Sequence, residues 1–108
     1  MADTTQFLEV IKQGYTFKGD AAKIGVAMLD GKVVQGADIF LPLRSMNRHG
    51  LIAGATGTGK TKTLQVLSEV LSDNSVPVLL LDIKGDLSGI AAAGTPNPKI
   101  TERYTTLG

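Results

Sequence analysis

The chain has 108 residues, of which 43% are hydrophobic and 19% charged, and this composition is typical of a globular segment and not of a disordered one. A formal net charge of +1 gives no support for a strongly basic nucleic-acid surface, and the lack of cysteine excludes disulfides and thiolate metal sites. The sequence shows no secretory signal and no apolar run of the roughly 18 residues that a membrane span needs. We therefore expect a cytoplasmic protein with no membrane partner.

The first 45 residues predict a helix followed by a small antiparallel β unit. Apolar residues recur at helical spacing in residues 4–13. Residues 24–29 predict a strand that ends at Asp30-Gly31, a dipeptide typical of tight hairpin turns. The return strand is expected over residues 32–35, with a break at residues 36–38 before extended structure resumes.

Residues 46–108 predict the start of a second domain, built on a βαβ unit. Residues 51–53 suggest a short buried strand that leads into a glycine-rich loop, and an amphipathic helix follows Lys60 up to about Asp73. Residues 78–81 are all apolar, as in a parallel strand covered on both faces. The fold class is therefore α/β, and because only one βαβ unit is present we expect an incomplete domain from the N-terminal part of a longer protein.

The last residues predict two further helices. Residues 87–93 suggest a short helix, and Asn97-Pro98 has the residue types of a helix N-cap followed by its first position. Apolar residues then recur at helical spacing up to Leu107.

The glycine-rich loop carries the most specific motif, because residues 54–61 match G-x-x-x-x-G-K-[ST] in full. Its glycines let backbone N–H groups approach phosphate oxygens, and the following helix aims its N-terminus at the same anion. Lys60 is the candidate catalytic residue, since its charge can stabilise the γ-phosphate, and the Thr61 hydroxyl can bind magnesium. The loop therefore predicts a nucleotide site for ATP and Mg²⁺. The predicted nucleotide-binding residues are Gly54, Ala55, Thr56, Gly57, Thr58, Gly59, Lys60, Thr61 and Lys62.

A second polar cluster follows the apolar run at residues 78–81. Asp82 stands where a parallel strand would end, so it is a candidate second ligand of Mg²⁺, and Lys84 and Asp86 are weaker candidates for a functional role at this strand end. The alternative is that Asp82 caps a turn and that the other two charges are solvated.

Three basic residues precede the loop. His49, the one histidine of the chain, could touch nucleotide or order the loop entry, although a histidine at a strand start is more often structural. Arg44 and Arg48 could reach a phosphate or a neighbouring subunit, or could simply be exposed.

Together, the segments Asn-Arg-His-Gly-Leu-Ile-Ala-Gly-Ala-Thr-Gly-Thr-Gly-Lys-Thr at residues 47–61 and Asp-Ile-Lys-Gly-Asp-Leu-Ser-Gly at residues 82–89 resemble the HerA/FtsK group of P-loop motor ATPases, especially the bacterial HerA-like (YjgR-related) proteins. The resemblance implies a barrel-like β region, a RecA-like motor domain and a homohexameric ring that moves on DNA. It also implies that the polar cluster contributes to the architecture of the nucleotide site more than to direct metal binding.

The sequence thus predicts the ATP-binding part of a motor ATPase, a helicase or translocase in the full-length protein. Hydrolysis is expected to need the later carboxylates, sensor and arginine finger of the family, which have no counterpart in these residues. Two alternatives stay open: another P-loop enzyme, such as a kinase or GTPase, and a nucleotide-binding regulatory or assembly switch without turnover.

Overall fold

The computed structural model describes residues 3–107. Contacts between residues divide them into two compact units: one holds the β-hairpin with the first and last helices, and the other spans Arg44–Ala93. Helices and strands are both present, so the predicted α/β class is confirmed. The described elements are α1 (Thr4–Gly14), β1 (Ala21–Leu29), β2 (Lys32–Pro42), α2 (Lys60–Asp73) and α3 (Pro98–Leu107), with 3-10 turns at Leu43–Ser45 and Ser88–Ala91.

The predicted hairpin is confirmed, but its second strand differs from the prediction. Asp30 and Gly31 join the antiparallel strands with positive φ values of 50° and 76°, as a type I′ turn requires. The expected break at residues 36–38 is wrong, because β2 runs unbroken from Lys32 to Pro42. The register is irregular instead, since Val26 pairs with Asp38 and Met28 with Val33. The extra residues of β2 are therefore absorbed as a bulge and do not end the strand.

The hairpin unit is packed around small side chains. Ala37 is 0% exposed and Ala22 is 1% exposed, so the hairpin can be approached closely by the helices that cover it. Helix α1 contacts both strands, with Asp3 as its N-cap accepting a hydrogen bond from the Thr5 N–H at 2.9 Å. Helix α3 contacts β2, and the Lys32 ammonium donates to the Thr106 carbonyl oxygen at 2.7 Å.

Helix α2 organises the Arg44–Ala93 unit. It begins at Lys60 and ends at Asp73, as the sequence predicts. Leu71 is buried, and the other members of the apolar stripe of α2, Leu64, Leu67 and Val70, are half-buried. The Leu87 side chain, which follows the polar cluster, is also buried, at 7% exposed. The amphipathic helix is therefore confirmed.

The two parallel strands expected on either side of α2 do not form in this structure. Among residues 3–107, neither residues 51–53 nor residues 78–81 pair with another strand. Leu51 is 89% exposed, and Leu79 and Leu81 are 87% and 88% exposed. A fully apolar strand is stabilised by neighbours on both edges and by layers on both faces. Here these segments have neither, so the two strands are not confirmed by this structure and stay predictions.

The last elements follow the sequence in part. The helix expected at residues 87–93 is a single 3-10 turn, Ser88–Ala91. Helix α3 begins at Pro98, and the Asn97 side-chain oxygen accepts a hydrogen bond from the Ile100 N–H at 3.0 Å, as an N-cap should. None of the helices in residues 3–107 combines the length and apolar character that a membrane crossing requires.

Candidate phosphate-binding site

The glycine-rich loop closes around a single carbonyl oxygen. The backbone N–H of Thr58 donates to the Ala55 oxygen at 3.3 Å, and the Thr58 hydroxyl donates to the same oxygen at 2.6 Å. The Lys60 ammonium, from the first residue of α2, adds a third bond to it at 2.8 Å. The loop is therefore a compact turn that leads directly into helix α2.

Two glycines make this turn possible for different reasons. Gly59 is the N-cap of α2 with φ of 95°, a left-handed conformation that side chains with a Cβ rarely adopt. Gly54 is needed because of a close approach: a Cβ added there would lie 2.6 Å from the Thr58 hydroxyl oxygen and 3.4 Å from Cγ of Lys60. A side chain at Gly54 would therefore collide with the Thr58 hydroxyl that closes the turn.

The start of α2 has free hydrogen-bond donors directly after the loop. The first turn of a helix has N–H groups without intrahelical partners, and no side chain caps those of α2. The Thr63 N–H begins the helical ladder by donating to the Gly59 carbonyl oxygen at 2.9 Å. The dipole of the helix adds a partial positive charge at the same end. This donor set, at a helix start preceded by a glycine-rich turn, fits a phosphate group.

Lys60 and Thr61 are available to such a group. The Lys60 ammonium has three donors and uses one on Ala55, so it can bind an anion as well. Among residues 3–107 the Thr61 hydroxyl makes no hydrogen bond, in contrast to the hydroxyls of Thr58 and Thr63, which donate to backbone carbonyls. The Thr61 oxygen is therefore free to bind a cation or a phosphate.

The polar cluster at residues 82–87 is a closed turn. One carboxylate oxygen of Asp82, Oδ1, accepts from the Gly85 N–H at 2.9 Å, and the other, Oδ2, accepts from the Leu87 N–H at 2.8 Å. The hydrogen bond from Leu87, aided by that from Gly85, lowers the pKa of the Asp82 carboxyl below its ordinary value because it stabilises the charged form. The contacts of Asp82 thus match the turn-capping alternative, and its role as an Mg²⁺ ligand stays a prediction.

The structure brings the two motifs together at one cavity. Thr61 from α2 and the side chains of Asp82, Lys84 and Asp86 line a cavity of about 260 Å³, together with four apolar residues. The sequence places Thr61 and Asp82 21 positions apart, so this proximity is a result of the fold. Three sequence candidates, Arg44, Arg48 and His49, are exposed and do not line this cavity.

The sequence pattern does not single out one residue that contacts the turn at residues 82–87. The Gln65 side-chain amide donates to the Asp86 carbonyl oxygen at 3.4 Å and so links α2 to the turn at residues 82–87. Gln65 lies four residues after Thr61, which places both side chains on one face of the helix. The spacing of four residues from Thr61 is therefore the feature of the sequence that could have identified Gln65.

The comparisons with known proteins agree with the motifs. The family described as Helicase HerA-like C-terminal matches residues 28–108. The chain belongs to the HerA-like helicase family. The DNA double-strand break repair helicase HerA of Saccharolobus solfataricus is 34% identical to this HerA-like chain over 100 residues, which is 91% of the chain. These residues span 19% of that relative's length. No solved structure matches the chain.

The resemblance predicted from residues 47–61 and 82–89 is thereby confirmed at the level of the family. The match begins at residue 28 and so includes β2. The domain boundary predicted between residues 45 and 46 stays a prediction.

Proposed function

We propose that this HerA-like chain is the ATP-binding part of a motor ATPase, which in the full-length protein couples ATP hydrolysis to movement on DNA. One observation carries the proposal: the glycine-rich loop closes on Ala55 and leads into the N-terminus of α2, which no side chain caps. This geometry suits the phosphates of a nucleotide. The relative from S. solfataricus is named as a DNA repair helicase, which supports DNA as the track.

The residues of the loop have different roles in binding the nucleotide. Backbone N–H groups of residues 54–62 bind phosphate oxygens, and the Lys60 ammonium stabilises negative charge on the γ-phosphate. The Thr61 hydroxyl holds Mg²⁺, which when bound supplies positive charge to the phosphate groups. The loop residues are proposed to contact the phosphates and not the base. The preference for ATP is therefore inferred from the family and not from the loop.

We propose a RecA-like arrangement for the complete motor domain, with residues 51–53 and 78–81 as paired parallel strands. The high exposure of Leu51, Leu79 and Leu81 supports this, because a sheet with helices on both faces would bury all three side chains. A homohexameric ring in the cytoplasm, in which a neighbouring subunit completes the site, belongs to the same proposal.

Hydrolysis of ATP by the full-length protein, with and without DNA, tests this function. We expect Mg²⁺-dependent hydrolysis that double-stranded or single-stranded DNA stimulates several-fold, and loss of that activity in Lys60→Ala. Tight binding of ATP without turnover under all conditions would contradict the motor and favour a nucleotide-binding switch. Turnover that DNA leaves unchanged would contradict DNA as the track.

Substitution of Thr61 by alanine is expected to raise the Mg²⁺ concentration needed for half-maximal ATP binding by about tenfold, or about 1.4 kcal/mol. The substitution removes the hydroxyl proposed to bind Mg²⁺ together with a methyl group that binds no cation, so binding of ATP in EDTA should change little. Titration of Mg²⁺ at a fixed ATP concentration measures the effect.

Two controls make this result specific to the hydroxyl. Thr61→Ser should restore the wild-type Mg²⁺ dependence, and Thr105→Ala removes a hydroxyl that bonds within α3 and should have no effect. An unchanged Mg²⁺ requirement in Thr61→Ala would exclude Thr61 as a metal ligand.

A further inference from the structure

We propose that Asp82 is a positioning residue that holds Lys84 at the phosphate groups of the nucleotide, so that Lys84 is a second cation beside Lys60. The inference rests on the proposed function, because it assigns further residues to the same nucleotide site. It follows from how the turn at residues 82–87 is closed, from how it is attached to α2, and from the free charge that it carries.

The Asp82 carboxylate fixes the shape of this turn. Its two oxygens accept hydrogen bonds from the backbone N–H groups of Gly85 and Leu87, so this one side chain fixes the backbone that follows Lys84. The Leu87 side chain is 7% exposed and anchors the end of the turn in the apolar interior of the unit. With both carboxylate oxygens engaged, Asp82 acts on the position of its neighbours.

The same turn is attached to the helix that follows the glycine-rich loop. The Gln65 amide reaches the Asp86 carbonyl oxygen at 3.4 Å, and Thr61 lies one helical turn before Gln65. Lys84 and Thr61 consequently line the same cavity of about 260 Å³. A phosphate bound at the start of α2 therefore has Lys60 on the loop side and Lys84 on the side of the turn.

The charge of Lys84 is free to act there. Among residues 3–107 the salt bridge joins Lys23 to Asp38, at 2.8 Å, and neither Lys84 nor Asp86 takes part in an ion pair. Asp86 bonds to α2 through its backbone carbonyl, and among the described residues its carboxylate forms no ion pair with Lys84. A lysine ammonium on a flexible stem is a point charge that suits phosphate oxygens.

The experiment is a double-mutant cycle on Mg·ATP affinity in the full-length protein, with wild type, Lys84→Ala, Asp82→Asn and the double variant. Lys84→Ala should raise the Kd for Mg·ATP about tenfold. Asp82→Asn keeps one acceptor oxygen and should raise the Kd by a smaller factor. The double variant should bind as Lys84→Ala does, within about twofold, because Asp82 acts through Lys84. Lys84→Arg keeps the charge and should restore most of the affinity.

The outcomes separate this inference from the proposed function. A double variant weakened by the product of the two single effects would overturn the inference, because Asp82 would then act independently of Lys84. Wild-type affinity in Lys84→Ala, with binding lost in Lys60→Ala, would overturn it and leave the proposed function standing. Wild-type affinity in Lys60→Ala as well would overturn both. The thermal unfolding midpoint of each variant identifies any that lose affinity by unfolding.

Discussion

Replacement of Lys60 by alanine is expected to weaken Mg·ATP binding by tenfold or more, about 1.4 kcal/mol, and to abolish hydrolysis by the full-length protein. The ammonium donates to the Ala55 carbonyl oxygen at 2.8 Å, so it stands inside the closed loop whose N–H groups we propose to bind the phosphates. Its loss removes the one side-chain cation of the loop that can stabilise charge on the γ-phosphate. Equilibrium titration with Mg·ATP measures the effect on binding.

A matched control is available on another helix. Lys99 is an exposed lysine in the first turn of α3. Lys99→Ala removes the same charge at a comparable place in a helix and should leave the affinity for Mg·ATP unchanged. Equal affinity of wild type and Lys60→Ala would exclude the loop as the nucleotide site.

Replacement of Gly59 by alanine is expected to weaken Mg·ATP binding about tenfold. At φ of 95°, a residue with a Cβ is strained by roughly 1–2 kcal/mol, and the backbone relieves that strain by moving. Gly59 caps α2 and precedes Lys60, so the movement displaces both the helix N–H groups and the ammonium. Titration with Mg·ATP measures the loss of affinity, and a thermal unfolding curve measures the effect of the strain on stability.

Gly94 provides the matched substitution for this prediction. A Cβ added at Gly94 has no atom within 4 Å, and its backbone does not have a positive φ. Gly94→Ala should therefore leave nucleotide binding and stability close to wild type. If Gly59→Ala bound Mg·ATP as tightly as Gly94→Ala, the left-handed cap would have no part in the site.

Local signals account for the features that the sequence predicts correctly. Asp30-Gly31 adopts the positive φ values that its residue types tolerate, and Asn97-Pro98 begins a helix through its own side-chain oxygen. The glycine-rich motif is likewise local, since Gly59 leads directly into α2. In each case the residues that decide the structure lie within a few positions of one another.

Features that depend on distant partners were predicted less well. The apolar run at residues 78–81 has the pattern of a buried parallel strand, but pairing requires other strands, and the run is unpaired in this structure. The proximity of Thr61 to Asp82 and the link from Gln65 to Asp86 also depend on how α2 meets the turn. The sequence named Asp82 as a candidate, whereas only the structure gives its two hydrogen-bond partners.

The central claim is that residues 54–62 bind the phosphates of ATP. Hydrogen–deuterium exchange of the full-length protein, with Mg·ATP and with adenosine, tests it most directly. We expect Mg·ATP to slow amide exchange in the peptide containing residues 54–62, and adenosine, which lacks phosphate, to leave it unchanged. Unchanged exchange in that peptide at a saturating concentration of Mg·ATP would contradict phosphate binding by residues 54–62.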